Sequence, residues 1–165
     1  MLISEYNRLG EASAIDFAAT LVAIPSFTAA LASSRPFASK SELRERAAEA
    51  AAAWDDEEVE LALAGHPRIG ERPDGSEPGA EHSAREQGAV QGAEADVLAR
   101  IAEGNRRYEA RFDRIFLVRA AGRTPAEILA QLEERLGNDD ATELAVVASE
   151  LRDITLLRLD ESVTE

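Results

Sequence analysis

The stretch SKSELRERAAEAAAAWDDEEVELALAG, residues 39–65, indicates how this chain folds. The motifs SKSE at 39–42 and DDEE at 55–58 both have the capping-box pattern, in which the first side chain and the fourth satisfy amides at a helix start. The first helix is predicted to run to about Trp54. The second is predicted to stop at Gly65, because glycine is favoured just beyond a helix C-terminus. Two consecutive capped helices favour an α-helical protein.

Other parts of the chain also carry signals for the start and the end of helices. Thr124-Pro125-Ala126-Glu127 is a strong helix start, and an acidic cap near Asp139 predicts a last helix that runs to about Leu159. Pro25 is expected to end a helix over residues 13–24, and Gly104 is expected to break a helix over residues 83–112.

One run, Ile115-Phe116-Leu117-Val118, has the composition of a strand. It has no partner run elsewhere, so a sheet is disfavoured and an extended segment between helices is expected. We therefore predict an all-α protein, a single compact domain over residues 1–165. It should have roughly eight helices, one long Pro/Gly-rich loop and one short extended segment.

The composition excludes several classes of function. The chain has 165 residues, a net charge of −14 and no cysteine. An acidic surface repels phosphate backbones and anionic membranes, so nucleic acid and membrane partners are not expected. The lack of cysteine removes thiolate chemistry and fits a reducing compartment. Without an apolar run of about 20 residues or a signal-like N-terminus, a soluble cytoplasmic protein is expected.

The loop after Gly65 holds both histidines, His66 and His82. Pro67 restricts the backbone of His66 and so helps to aim its imidazole, which suits proton transfer near neutral pH. The alternative is an ordinary surface histidine. A metal site shared by His66 and His82 is disfavoured, because no third ligand lies at a recognisable spacing.

The segment after this loop opens with Ser83-Ala84-Arg85-Glu86-Gln87, which is also a capping box. Capping alone can explain Ser83 and Glu86. The functional alternative is that Glu86 and Gln87 face the His66 loop at a helix N-terminus, where amide groups bind substrate oxygens. The side chain of Gln87 both donates and accepts, which suits an amide or ureido group.

The last helix places a charged residue on an apolar stripe. Leu144, Val147, Leu151 and Ile154 share one helix face, and the pattern continues to Arg158. A guanidinium facing the core is costly unless it is paired. Either the helix frays and Arg158 reaches water, or Arg158 is an anion anchor in a pocket.

Five motifs, in this order, resemble the OHCU decarboxylases, a family that acts on 2-oxo-4-hydroxy-4-carboxy-5-ureidoimidazoline (OHCU). The motifs are Arg35-Pro36-Phe37, Gly65-His66-Pro67-Arg68-Ile69-Gly70, Ser83-Ala84-Arg85-Glu86-Gln87, Tyr108-Glu109-Ala110-Arg111-Phe112 and Arg135-Leu136-Gly137-Asn138-Asp139. The resemblance implies an all-helical, cofactor-free carboxy-lyase, commonly a homodimer. Such an enzyme forms (S)-allantoin at the end of urate degradation.

The resemblance also implies roles for individual residues. His66 would be the acid–base catalyst, with Glu86 as its catalytic partner. The substrate would be bound by Pro67, Ser83, Gln87, Arg158 and the backbone of the extended segment Phe116, Leu117, Val118, Arg119 and Ala120. Two positions depart from the family: His82 stands where tryptophan is frequent, and Arg119 stands where a small or apolar residue is frequent.

Two other functions remain open from the residues alone. The chain would be a non-catalytic helical module that docks a protein through its Pro/Gly loop, or another cofactor-free lyase or hydrolase acting on a ureido compound. The acidic surface and the capping interpretation of Ser83 and Glu86 support the docking module.

Overall fold

The computed structural model describes residues 1–66, 68–69 and 95–165, and it has eight α-helices in these ranges. The described residues form no β-strand, and Leu2 and Thr164 make an isolated bridge between the two ends of the chain. The all-α prediction is therefore confirmed. The helices are α1 Ile3–Arg8, α2 Glu11–Leu21, α3 Pro25–Ser33, α4 Lys40–Ala52, α5 Asp56–Leu63, α6 Ala95–Phe112, α7 Pro125–Arg135 and α8 Asp140–Ser162.

Side-chain caps start four of these helices where the sequence predicts them. Ser39 accepts the amide of Glu42 at the start of α4, at 3.2 Å. Asp55 starts α5 in the same way, and Thr124 and Asp139 start α7 and α8. Each cap satisfies an amide that has no partner within its own helix, and this fixes where the helix begins.

Two predicted helix boundaries are wrong, for different physical reasons. Pro25 was expected to end a helix, but it is the first residue of α3, a position where its missing amide costs nothing. Gly104 was expected to break a helix, but it lies inside the continuous α6. A Cβ at Gly104 would sit 2.4 Å from Leu132 Cδ2 of α7. The glycine therefore lets α6 and α7 pack closely.

The buried side chains form two clusters. The larger one joins α1 to α5 with α8, and the smaller one joins Ile69, α6 and α7. Residues 115–120 form no regular element and connect α6 to α7, as the sequence predicts. Along this segment Leu117 packs into the larger cluster, whereas Phe116 and Val118 pack into the smaller one. Successive side chains of an extended chain point to opposite sides, so one segment joins both clusters.

Within residues 1–66, 68–69 and 95–165, no helix is both long and apolar enough to cross a lipid bilayer.

Candidate active site

Arg158 lies in the protein interior. It is 4% exposed, and the stripe residues Val147, Leu151 and Ile154 are each at most 2% exposed. The alternative in which the helix frays and Arg158 reaches water is therefore wrong, since α8 continues to Ser162. Its Nη1 donates to the carbonyl of Leu21, at the C-terminal end of α2, at 2.9 Å. A helix C-terminus is a favourable place for a cation, and this contact fixes one edge of the guanidinium.

His66 lies within electrostatic range of Arg158. It lies three residues after the end of α5, and its amide donates to the carbonyl of Leu63 at 3.0 Å, which holds the backbone in a turn. Burial lowers the pKa of the His66 imidazole to about 3, and the positive charge of Arg158 contributes in the same direction. The imidazole is therefore neutral at physiological pH, and one of its ring nitrogens can accept a proton.

The backbone of residues 115–120 forms few internal hydrogen bonds. Within the described ranges, the amide and carbonyl of Val118 make no hydrogen bond, although Val118 is 6% exposed. Buried peptide groups are nearly always paired, so these two groups are suited to a bound ligand or an ordered water. The predicted substrate contact with this segment remains a prediction.

Side chains hold the same segment in place from α7 and α8. Arg135 donates to the carbonyl of Leu117 at 2.8 Å, and its guanidinium lies 4.5 Å from the centre of the Phe116 ring. Glu143 accepts from Arg135 at 2.6 Å and from Asn138 at 2.8 Å, and it also accepts the hydroxyl hydrogen of Tyr108. This buried polar network gives a structural role to the motifs at residues 108–112 and 135–139, which resemble those of the family.

The sequence carries a signal for this network that our reasoning missed. Glu143 lies four residues before Val147, so it belongs to the same stripe that singles out Arg158. Arg135 follows Leu132 by three residues on the apolar face of α7. The rule that a charge on an apolar stripe needs a partner would therefore have found both residues.

Arg119 has a different environment from Arg158. Its side chain is 37% exposed and lies 4.0 Å from Asp153. It lines an open groove of about 300 Å³ on the surface of α8, which His66 and Arg158 do not line. The amide of Arg119 donates to Glu150 Oε2 at 2.6 Å.

Several predicted site residues lie outside the described residues. These are Pro67, Ser83, Glu86 and Gln87, together with His82. In the ranges that are described, no group of three or more His, Asp or Glu side chains is arranged to hold a metal ion. Of the predicted site, the structure therefore describes His66, Arg158 and the backbone of residues 116–120.

Fold and site together define an all-α protein with a neutral imidazole near a buried guanidinium. That pair suits removal of a proton from a bound anion. The sequence model of the OHCU decarboxylase family matches residues 7–160. This chain belongs to the OHCU decarboxylase family.

Two relatives agree with this assignment. The chain is 30% identical to 2-oxo-4-hydroxy-4-carboxy-5-ureidoimidazoline decarboxylase of Haloferax volcanii over 165 residues, covering 98% of this chain and 95% of that protein. It is 40% identical over 101 residues to the uric acid degradation bifunctional protein TTL of Arabidopsis thaliana, covering 59% of this chain. That match spans only 31% of the plant protein.

Solved structures give the same fold. A crystal structure of OHCU decarboxylase in the presence of (S)-allantoin superposes with a TM-score of 0.75 at 28% identity, covering 88% of this chain and 96% of that one. A crystal structure of (S)-allantoin synthase shares the fold alone, with a TM-score of 0.69 at 15% identity, covering 99% of this chain and 54% of that one. Membership of a carboxy-lyase family favours an enzyme over the docking-module alternative.

Proposed function

We propose that this chain catalyses the cofactor-independent decarboxylation of OHCU to (S)-allantoin, the last step of urate degradation. The main support for the proposal is that a neutral imidazole, His66, lies near a buried guanidinium, Arg158. The chain that contains this pair belongs to the OHCU decarboxylase family. The small-molecule substrate follows from the same assignment. Nucleic acid is disfavoured as a partner by the net charge of −14.

The chemistry needs positioning and proton transfer. The bond between the substrate ring and its carboxylate breaks, CO2 leaves, and the electron pair passes to the conjugated C=N bond of the ring. The hydroxyl proton is removed, and a proton is delivered to one face of the neighbouring carbon. His66 accepts the hydroxyl proton on a ring nitrogen that is unprotonated because the imidazole is neutral.

The reaction also needs stabilisation of negative charge, and we assign this role to Arg158. A guanidinium that is already held in place, here by the carbonyl of Leu21, costs little reorganisation when oxyanion charge develops. Glu86 is proposed to hold the imidazole or the ureido group. Pro67, Ser83 and Gln87 are proposed to contact the substrate, together with backbone groups of residues 116–120.

The test is stereospecific product formation. Urate oxidase and hydroxyisourate hydrolase generate OHCU from urate, and circular dichroism then follows (S)-allantoin. Adding this protein should accelerate the appearance of the (S)-allantoin signal well above spontaneous decay. An unchanged signal would contradict the proposal. If (S)-allantoin nevertheless binds, the result would favour another cofactor-free enzyme of ureido compounds.

We also propose that the protein is a homodimer, as the family resemblance implies. We propose a cytoplasmic location, which fits the absence of cysteine. Light scattering of the purified protein should then give twice the chain mass of 17.8 kDa. A mass of one chain at micromolar concentration would contradict the dimer.

A further inference from the structure

Glu150 and Arg123 enclose one residue of the extended segment. Glu150 Oε2 accepts the amide of Arg119 at 2.6 Å. Nη1 of Arg123 donates to the carbonyl of Arg119 at 2.9 Å and to Glu150 Oε2 at 3.0 Å. A second guanidinium nitrogen of Arg123 donates to Glu150 Oε1 at 3.2 Å. Both polar backbone groups of Arg119 are therefore held by one ion pair.

A second ion pair holds the other end of the segment. Arg135, paired with Glu143, donates to the carbonyl of Leu117. Val118 is the residue between these two attachments, and within the described ranges its own amide and carbonyl make no hydrogen bond. The segment is thus fixed on either side of Val118, whose backbone groups remain available to a ligand, as do those of Phe116.

We propose that Glu150 and Arg123 are positioning residues that fix the backbone of Val118 for contact with the substrate. The inference rests on the decarboxylase function proposed above. It adds that α8 serves the site twice, because Arg158 faces the reaction and Glu150 orders the segment that binds the substrate. Neither Glu150 nor Arg123 contacts the reacting atoms.

An ordinary surface ion pair does not explain this arrangement. Exposed pairs contribute roughly 0–1 kcal/mol, and they need no backbone partner. The side chains of Arg123 and Glu150 are 20% and 13% exposed, and they satisfy peptide groups that have no partner in a helix or sheet. Removing the carboxylate leaves the amide of Arg119 unpaired, so the segment gains freedom where the substrate binds.

The test compares Glu150→Ala and Glu150→Gln with the native enzyme. Loss of a contact that is present in both ground and transition states raises KM and leaves kcat largely unchanged, so Glu150→Ala should raise KM by about tenfold. Glu150→Gln keeps an oxygen that accepts the amide hydrogen of Arg119. Its KM should therefore lie between that of the native enzyme and that of Glu150→Ala. A merely structural role lowers the amount of folded enzyme, which changes the maximal rate but leaves KM unchanged.

Glu133→Ala is the matched control, because Glu133 also pairs with an arginine, Arg100 at 2.7 Å, on an exposed face of α6 and α7. Its KM should equal that of the native protein. A KM for Glu150→Ala equal to that of Glu133→Ala overturns the proposal.

Amide hydrogen exchange separates this inference from the proposed function. In the protein without ligand, the amide of Arg119 should exchange at least about tenfold faster in Glu150→Ala than in Glu133→Ala, since its acceptor is removed. Equal exchange rates overturn the positioning role even if the native enzyme decarboxylates OHCU. Faster exchange in a protein that leaves OHCU unchanged supports the ordering of the segment and refutes only the decarboxylase assignment.

Discussion

At the scale of single residues, His66 and Arg158 show what sequence alone determines. The stripe on the last helix leaves two alternatives for Arg158, and the structure shows the inward one, at 4% exposure. The His-Pro motif indicates that His66 is aimed by its backbone, but it does not give the protonation state. That state depends on burial and on a guanidinium far away along the chain, so only the folded structure supplies it.

The lowered pKa of His66 predicts how stability depends on pH. An unfolded histidine titrates near 6.5, and the folded pKa is about 3, so the unfolded chain binds more protons between these values. This contribution to stability is therefore present above pH 6.5 and is lost as the pH falls towards 3. At pH 5 the loss is at most about 2 kcal/mol, and partial exposure of His66 makes it smaller.

Urea unfolding at pH 7 and pH 5 measures this dependence. The decrease in unfolding free energy between the two values should be larger for the native protein than for His66→Gln, because glutamine does not titrate. Equal decreases in the two proteins would show that the folded imidazole titrates like an unfolded one.

At the scale of helices, local signals determine where an element begins better than how it packs. The caps at Ser39, Asp55, Thr124 and Asp139 were predicted because each involves residues a few positions apart. Gly104 was mistaken for a helix break because its role depends on Leu132, which belongs to another helix. Local sequence cannot show such a contact.

The packing of α6 against α7 predicts the effect of Gly104→Ala. In an exposed helix this change stabilises by about 1 kcal/mol, because alanine has the higher helix propensity. Here the added Cβ would lie 2.4 Å from Leu132, whose side chain is fully buried and has little room to move. Overpacking of this kind typically costs about 1–3 kcal/mol, so the net effect should be destabilising.

A double-mutant cycle with Leu132→Ala checks this explanation by denaturant unfolding. Gly104→Ala should be less costly, or stabilising, in the Leu132→Ala background, since the clash is then removed. The same cost in both backgrounds would assign the effect to something other than this helix contact.

At the scale of the whole molecule, the extended segment of the predicted site joins the two buried clusters. The sequence predicts this segment because Ile115 to Val118 has no partner strand. It does not predict that alternate side chains enter different clusters, or that Arg135 and Glu150 fix its backbone. Those contacts join α6, α7 and α8, and they exist only after the helices have assembled.

The family assignment and the geometry lead to one central claim, that neutral His66 removes the hydroxyl proton of the substrate in a site that also contains Arg158. The most direct test is the initial rate of (S)-allantoin formation from freshly made OHCU by His66→Gln, compared with the native protein at pH 7.5. General acid–base groups typically contribute about 10²–10⁴-fold, so the rate should fall by at least about 100-fold while circular dichroism shows an unchanged helical fold. A rate within a few-fold of the native protein would contradict the claim.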